Sequence, residues 1–451
     1  MAIICTGFIA TARLTAAAQG VPGIAIVEYP PPNIATQGVA EIQRYASTLL
    51  DKVIEALTGP VAGSCETEAK DIEPGPREIV ISGSLDEVNE FFYENQWTDG
   101  LPIIPPTIEK IEDFLKYTDR SPDEVIGKFE PTNREGTVWK IAVNGIMAGC
   151  RPEYMPVLIA IAEAMIDPHY PLIDLGTTHG TAPWLIINGP IIQQLNFNSS
   201  ISTLGPGRQA NSTVGRFTRL LLNNLSRFLP GLNDLSALGW PGKFGMCLAE
   251  AEDQTPWAPL GVERGCKSID SCVTVLTTGA FTGAFTTVGD TAEEHLRGLA
   301  GYISRSITHG SLLTKTTRHV VVVLSPLVAQ IIAKSGYSKQ DVKEYLFKKA
   351  RLTAAEFCAL EGDFVREIDL FKLAAEGRMR KEYCTTDLSQ LLPITHSPDE
   401  FVIVVSGNPM RNRSTSFLQS KGHPVTRKIK LPTNWDELIM NNLSRQGQGK
   451  K

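Results

Sequence analysis

The residues best suited to chemistry lie in a few short segments of this 451-residue chain. In NGIMAGCRPEYMP, residues 144–156, Cys150 follows a glycine and stands two places before Pro152, a favoured first helical residue. That spacing predicts a thiol at or beside a helix N-cap, where unpaired backbone N–H groups and Arg151 would lower its pKa and make it a nucleophile or redox thiol. Glu153 and Tyr154, in the first turn, are placed to act as acid or base on a molecule held at that thiolate. In LGTTHGTAP, residues 175–183, His179 stands among hydroxyls and glycines and is the preferred proton carrier. Asp99 offers a carboxylate on WTDGLPIIPPT, residues 97–107, a loop stiffened by its prolines.

Substrate binding is expected at LGPGRQANSTVGR, residues 204–216, a glycine-rich turn opening a helix. There Gly205 and Gly207 would present N–H groups to an anion, with Arg208, Asn211, Ser212 and Arg216 adding polar or charged contacts. The segment is neither a Walker A loop nor a dinucleotide fingerprint, so the ligand class is phosphate or carboxylate and nothing narrower. Asn188 closes the strand Trp184–Asn188 and adds an amide. Glu250, Glu252 and Asp253 form an acidic patch, Cys266 and Cys272 are too far apart in sequence for a standard metal pair, and SGNPMRNRS at 406–414 reads as a further basic loop. Each feature also has a structural reading: a buried cysteine, a turn histidine, a proline corner or simple helix capping.

The elements that must position these groups alternate between strand and helix. Ala2-Ile-Ile-Cys5 reads as a short strand, Ile9 to Gln19 as a helix closed by Gly20, residues 23–28 as a strand and Thr36 to Leu57 as an amphipathic helix. The alternative, an export signal, lacks a Lys or Arg before its apolar run. In the structural reading Cys5 ends the first strand where a helix begins, either as a second reactive thiol or as packing. Ser84 and Thr107 open helices, Pro152 begins one running to Met165, Asn211 to Phe228 forms another, and Ser338 caps Lys339 to Ala350. Residues 273–276, 319–324 and 401–405 are strands. The fold class is therefore α/β: an incomplete Rossmann-like βαβα segment over 1–60, a Gly/Pro-rich linker over 61–80, and a larger α/β, or α+β, domain over 81–451.

Bulk properties narrow the function. With 42% hydrophobic residues and a net charge of −6, the chain can build a core but has no basic field for nucleic acid. No apolar run approaches the roughly 18 residues of a membrane span. Eight cysteines without zinc-module spacing predict reduced thiols in a cytoplasmic protein, with no cofactor assigned beyond the thiols and no metal cage.

Two resemblances rest on these motifs. The Cys-Thr-x-Phe turn at residues 5–8, the Val-Pro-Gly turn and the Leu-Thr-Gly-Pro at 57–60 resemble the C-terminal half of the UGSC family, which has selenocysteine and cysteine members. From about residue 92, TDGLPIIPPT, MAGCRPEYMPV, Asn188-Gly-Pro and LGPG…AN resemble a little-characterised bacterial family often associated with it. The first resemblance implies thiol or selenol chemistry on an α/β scaffold. The UGSC signature would fall upstream of Met1, so either a partner subunit supplies that half or the chain has lost its chemistry, and a homo-oligomer is the other expected assembly; AGSC at 62–65 resembles the signature only superficially. The expected function is a cysteine-dependent enzyme acting on a small anionic molecule, by reductive cleavage of a carbon–heteroatom bond or by addition and elimination. A metal-dependent hydrolase or lyase built on His179, Cys150 and carboxylates, and a non-catalytic subunit completing a partner's sheet, are the alternatives.

Overall fold

The computed structural model describes residues 1–31, 37–59, 73–75, 77–176, 178, 180–281, 283–306, 319–361, 370–377, 379–419 and 422–440. The N-terminal part forms strand β1 (Ala2–Cys5), helix α1 (Ile9–Ala18), strand β2 (Ile26–Tyr29) and helix α2 (Val39–Thr58). Gly20 has φ +75°, the left-handed conformation a helix-closing glycine provides. β1 and β2 are parallel, and among the described residues they pair only with each other. Val27, Tyr29 and Leu49 make a small apolar cluster there, with Cys5 packed against it. Thr11 Oγ1 donates to Leu232 O at 2.8 Å and Asn133 Nδ2 to Ala18 O at 2.8 Å, which fastens this part to the rest of the chain.

Helices α3 (Leu85–Glu94) and α4 (Ile108–Leu115) follow, opened by Ser84 and Thr107 as their hydroxyl positions predict. A hairpin of β3 (Val125–Phe129) and β4 (Arg134–Thr137) leads into α5 (Val138–Met147) and α6 (Met155–Met165). Then come β5 (Ala182–Asn188), α7 (Ile191–Gln194), α8 (Gln209–Leu221), β6 (Met246–Ala249), α9 (Leu260–Glu263) and β7 (Cys272–Thr278). The last part contains β8 (Ala280–Phe281), β9 (Phe285–Thr286), α10 (Ala292–Ser306), β10 (His319–Leu324), α11 (Pro326–Lys334) and α12 (Lys339–Lys349). It ends with β11 (Arg351–Thr353), α13 (Ala354–Glu361), β12 (Leu391–Pro393), β13 (Phe401–Val405), β14 (Arg413–Gln419) and β15 (Val425–Lys428).

Two mixed sheets dominate. One has the order β15-β7-β5-β6 and the other β13-β10-β14-β8, with β9 also on β14. Successive side chains on a strand point to opposite faces, and here both faces are covered. Leu185, Ile187, Val273 and Val275 turn towards α5, α6 and α8, whereas Trp184, Ile186 and Leu276 turn towards the second sheet and meet Val321, Val323, Val402, Val404 and Phe417. Trp184 and Phe417 have ring centroids 4.0 Å apart at the centre of that layer. Val320, Val322, Phe401 and Ile403 point the other way, onto α10, α11 and α12. The result is a four-layer helix/sheet/sheet/helix arrangement, an α/β fold in which unbroken valine runs become strands buried on both sides. β14 begins with Arg413 and Ser414, the last two residues of the segment read in sequence as a basic loop, and is buried from Ser414 to Gln419, its backbone N–H and C=O groups paired with β10 on one side and with β8 and β9 on the other.

Candidate functional site

α5 ends in a Schellman motif: Gly149, at φ +85°, donates to Ile146 O at 2.8 Å, and Cys150 N donates to Gly145 O at 2.9 Å. Cys150 therefore terminates one helix before the next begins. The N-cap of the turn Pro152–Tyr154 is Arg151, not Cys150. Cys150 thus stands beside that N-cap, as its spacing predicts, but its burial works against the stabilised thiolate expected there. Burial pushes the Cys150 thiol up to about 12, and a hydrogen bond to Thr213 and the charge of Arg216 offset only part of that. Cys247 is close enough to Cys150 to interact electrostatically, and burial raises its thiol too. Tyr154 is packed in the same core, 6.1 Å from Phe197 between ring centroids, with its phenol raised chiefly by burial. Glu153 lies 3.8 Å from Arg151. Cys5 belongs to the separate N-terminal cluster.

The loop and helix that carry the next two candidates meet directly. Arg216, on α8, donates from Nε and Nη2 to the two oxygens of Asp99 at 2.8 and 2.7 Å, and from Nη2 to the carbonyls of Leu101 and Pro102 at 3.2 and 2.9 Å. Asn223 and Asn224 bond the carbonyls of Thr98 and Trp97 at 2.9 and 3.2 Å. They lie in a single π-turn, Leu222–Ser226, that ends α8 earlier than the expected helix to Phe228. Such turns insert an extra residue and reorient the side chains that follow. Asp99, whose side chain is 2% exposed, is thus a charge partner of Arg216.

The glycine-rich turn is also internally bonded. Asn211 accepts from Asn198 N at 2.7 Å and donates to Cys247 O at 3.1 Å, Arg208 reaches Asn196 Oδ1 at 3.3 Å, and Ser212 is exposed. Gly205 N donates to Ser202 O at 2.8 Å, and Gly207 has φ +119°. Asn188 is buried beneath Glu250 and Glu252, donating to them at 2.7 and 2.8 Å, so the acidic patch serves as a clasp where β5 and β6 end. Cys266 and Cys272, distant in sequence terms for a metal pair, come together, and burial followed by the Cys266 thiol raises Cys272. His179 lies outside the described residues; beside it, Thr178 O accepts from Ala237 N at 2.9 Å. Among the described residues, no three His, Cys, Asp or Glu side chains surround a common point as a metal cage would require.

A polar network that sequence reasoning missed lies one turn along α8 from Arg216. Arg219 Nη1 is 3.7 Å from Asp234 Oδ2, Ser236 Oγ donates to Asp234 Oδ1 at 2.5 Å, and Lys243 Nζ donates to both Asp234 and, at 2.7 Å, Ser236 Oγ. Asp99 also acts electrostatically on Arg219, so the two groups form one field of three cations and two carboxylates. Burial pushes Asp234 up, but hydrogen bonds from Lys243 and Ser236 outweigh it and hold the carboxyl below its ordinary range. Burial pushes the Lys243 amine down, and Asp234 offsets that only in part. The close approach that builds the network needs glycine: a Cβ on Gly245 would lie 2.2 Å from the Gly215 carbonyl carbon. The i, i+3 spacing of Arg216 and Arg219 was a legible signal that both share a helix face. Nothing local marked Lys243. Compared with models of known families, with curated proteins and with solved structures, the chain matches none.

Proposed function

We propose that this chain is an enzyme for a small anionic substrate, and that its reacting group is the Ser236–Lys243–Asp234 network beside Arg219 and Arg216. The observation that carries the reading is Lys243 Nζ at 2.7 Å from Ser236 Oγ, with an amine pushed down by burial next to a surplus of positive charge. Burial disfavours the charged form of this amine, the direction that general base work needs. In an addition–elimination reaction, Lys243, once it has given up its own proton, would take the proton next to a substrate carboxylate while a leaving group departs from the adjacent carbon, and Arg219 would steady the charge that develops on the carboxylate oxygens. Cys150, protonated and in the core, has no part in that step.

Trinitrobenzenesulfonate, an anionic amine reagent, tests the reading on the full chain. Lys243 is expected to react faster at pH 8 than the surface lysines, malonate or phosphate to slow that labelling, and Cys150→Ser to leave both unchanged. Labelling of Lys243 no faster than the surface lysines, with no protection by either anion, would remove the basis for this function. A second reading, in which β1 and β2 complete a sheet with a partner subunit or a second copy, draws on their having no third strand among the described residues.

A further inference from the structure

α2 has two apolar faces. Leu49 is buried in the cluster with Val27 and Tyr29, and Tyr45, Val53 and Ala56 pack around it, whereas Val39, Leu50, Ile54 and Leu57 are 62, 58, 50 and 65% exposed. The part of the chain that carries α2 has little other core: among residues 1–31 and 37–59, only Ala16, Val27, Tyr29 and Leu49 are buried. A unit this small needs most of its apolar side chains inside to be stable, so a contiguous apolar helix face left in solvent marks an interaction surface.

The spacing on α2 points to the body that covers it. Val39, Gln43, Ala46, Leu50, Val53 and Leu57 follow one another at intervals of four, three, four, three and four residues, the seam of a two-helix coiled coil. Read backwards, the seam complements itself: an antiparallel pair centred on Thr48 sets Val39 against the second copy's Leu57, Gln43 against its Val53 and Ala46 against its Leu50. Seven residues apart, Arg44 and Asp51 share one flank of the seam, and in the same pairing Arg44 of each copy comes level with Asp51 of the other. A parallel pair would instead set each of these charges against its own kind. Both residues are exposed, and the nearest carboxylate to Arg44 within its own chain is Glu41 at 3.7 Å. The four exposed side chains offer roughly 400 Å² of apolar surface per copy, close to the apolar share of a standard interface, which takes about 800 Å² from each partner and is a little over half apolar.

We propose that α2 is a self-association surface, on which a second copy of this chain seats its own α2 antiparallel. The pairing rests on α2 alone. It uses neither the open edge of β1 and β2 nor the network around Lys243, so the function proposed above can fail without it, and it without that function.

Sedimentation velocity of the full chain at micromolar concentration tests this, with far-UV circular dichroism as the control for folding. The wild type is expected at the mass of two chains. Leu50→Glu combined with Leu57→Glu is expected at the mass of one, with unchanged helix content because both side chains are already exposed. Arg44→Asp should weaken the association about tenfold by facing carboxylate with carboxylate, and adding Asp51→Arg should restore it. Any wild-type mass other than two chains overturns the proposal. So does a two-chain species that the paired leucine changes leave intact, which would put the contact at the strand edge or elsewhere. An association that Arg44→Asp does not weaken, or that Asp51→Arg does not rescue, overturns the antiparallel seat.

Discussion

Native-state alkylation of Cys150 examines the physical core of the site. With the thiol pushed up to about 12, its thiolate share at pH 7.5 is about 3,000-fold below that of a free thiol of pKa about 8.5, before any steric protection. Burial is the cause, and the α5 C-terminus, where the helix dipole is negative, gives a thiolate no support. Iodoacetamide labelling followed by peptide mapping reads this directly, with the exposed Cys358 as internal reference. Cys150 should lag Cys358 by at least a hundredfold near neutral pH, and Arg216→Met, which removes a charge that favours the thiolate, should slow it further. Labelling of Cys150 within tenfold of Cys358 would refute the reasoning. The linked effect on folding has a definite sign: a raised acid stabilises the fold below its unfolded pKa, and that contribution is lost as the pH rises through about 12.

Two further predictions concern stability. Arg216→Met leaves the Asp99 carboxylate, whose side chain is 2% exposed, without its partner and should cost about 3–5 kcal/mol in urea unfolding, whereas breaking the exposed Lys116–Asp113 pair should cost under about 1 kcal/mol. Adding Asp99→Asn to Arg216→Met should cost less than the sum of the single changes; simple additivity would show that the pair is not coupled. Glu250 is raised by burial, so its folded form favours the proton and the stability it lends is present below about pH 4 and lost as the pH rises through its folded pKa. Glu250→Gln should therefore gain on the wild type in melting temperature between pH 4 and pH 8, and a constant difference across that range would contradict this.

Local features of the chain were legible because their physics is local. Ser84, Thr107 and Ser338 each cap the helix that follows by reaching an N–H three residues away, and Gly20 closes α1 through its own left-handed backbone. The β-branched apolar runs at 320–323 and 402–405 contain enough apolar surface to demand burial on both faces. Cys150 stands beside an N-cap as its spacing indicates, but a helix end lies within the same few residues, and its burial there was not legible from local spacing. The hydrogen bond from Cys150 N to Gly145 O, which assigns it to the end, depends on how α5 and α6 pack.

Charge was the property least available from the sequence. Arg216 looked free to hold a substrate, yet its partner Asp99 lies 117 residues away, and only folding brings the two within bonding distance. Lys243 had no local mark at all, and its lowered amine exists because α8, Asp234 and the Gly215–Gly245 contact surround it. Residue types and spacing by themselves determined the α/β class, the helix starts and which segments were polar enough to matter. Which of those groups are buried, paired or left able to react was decided by tertiary structure, because desolvation and Coulomb forces depend on neighbours that the chain order does not reveal.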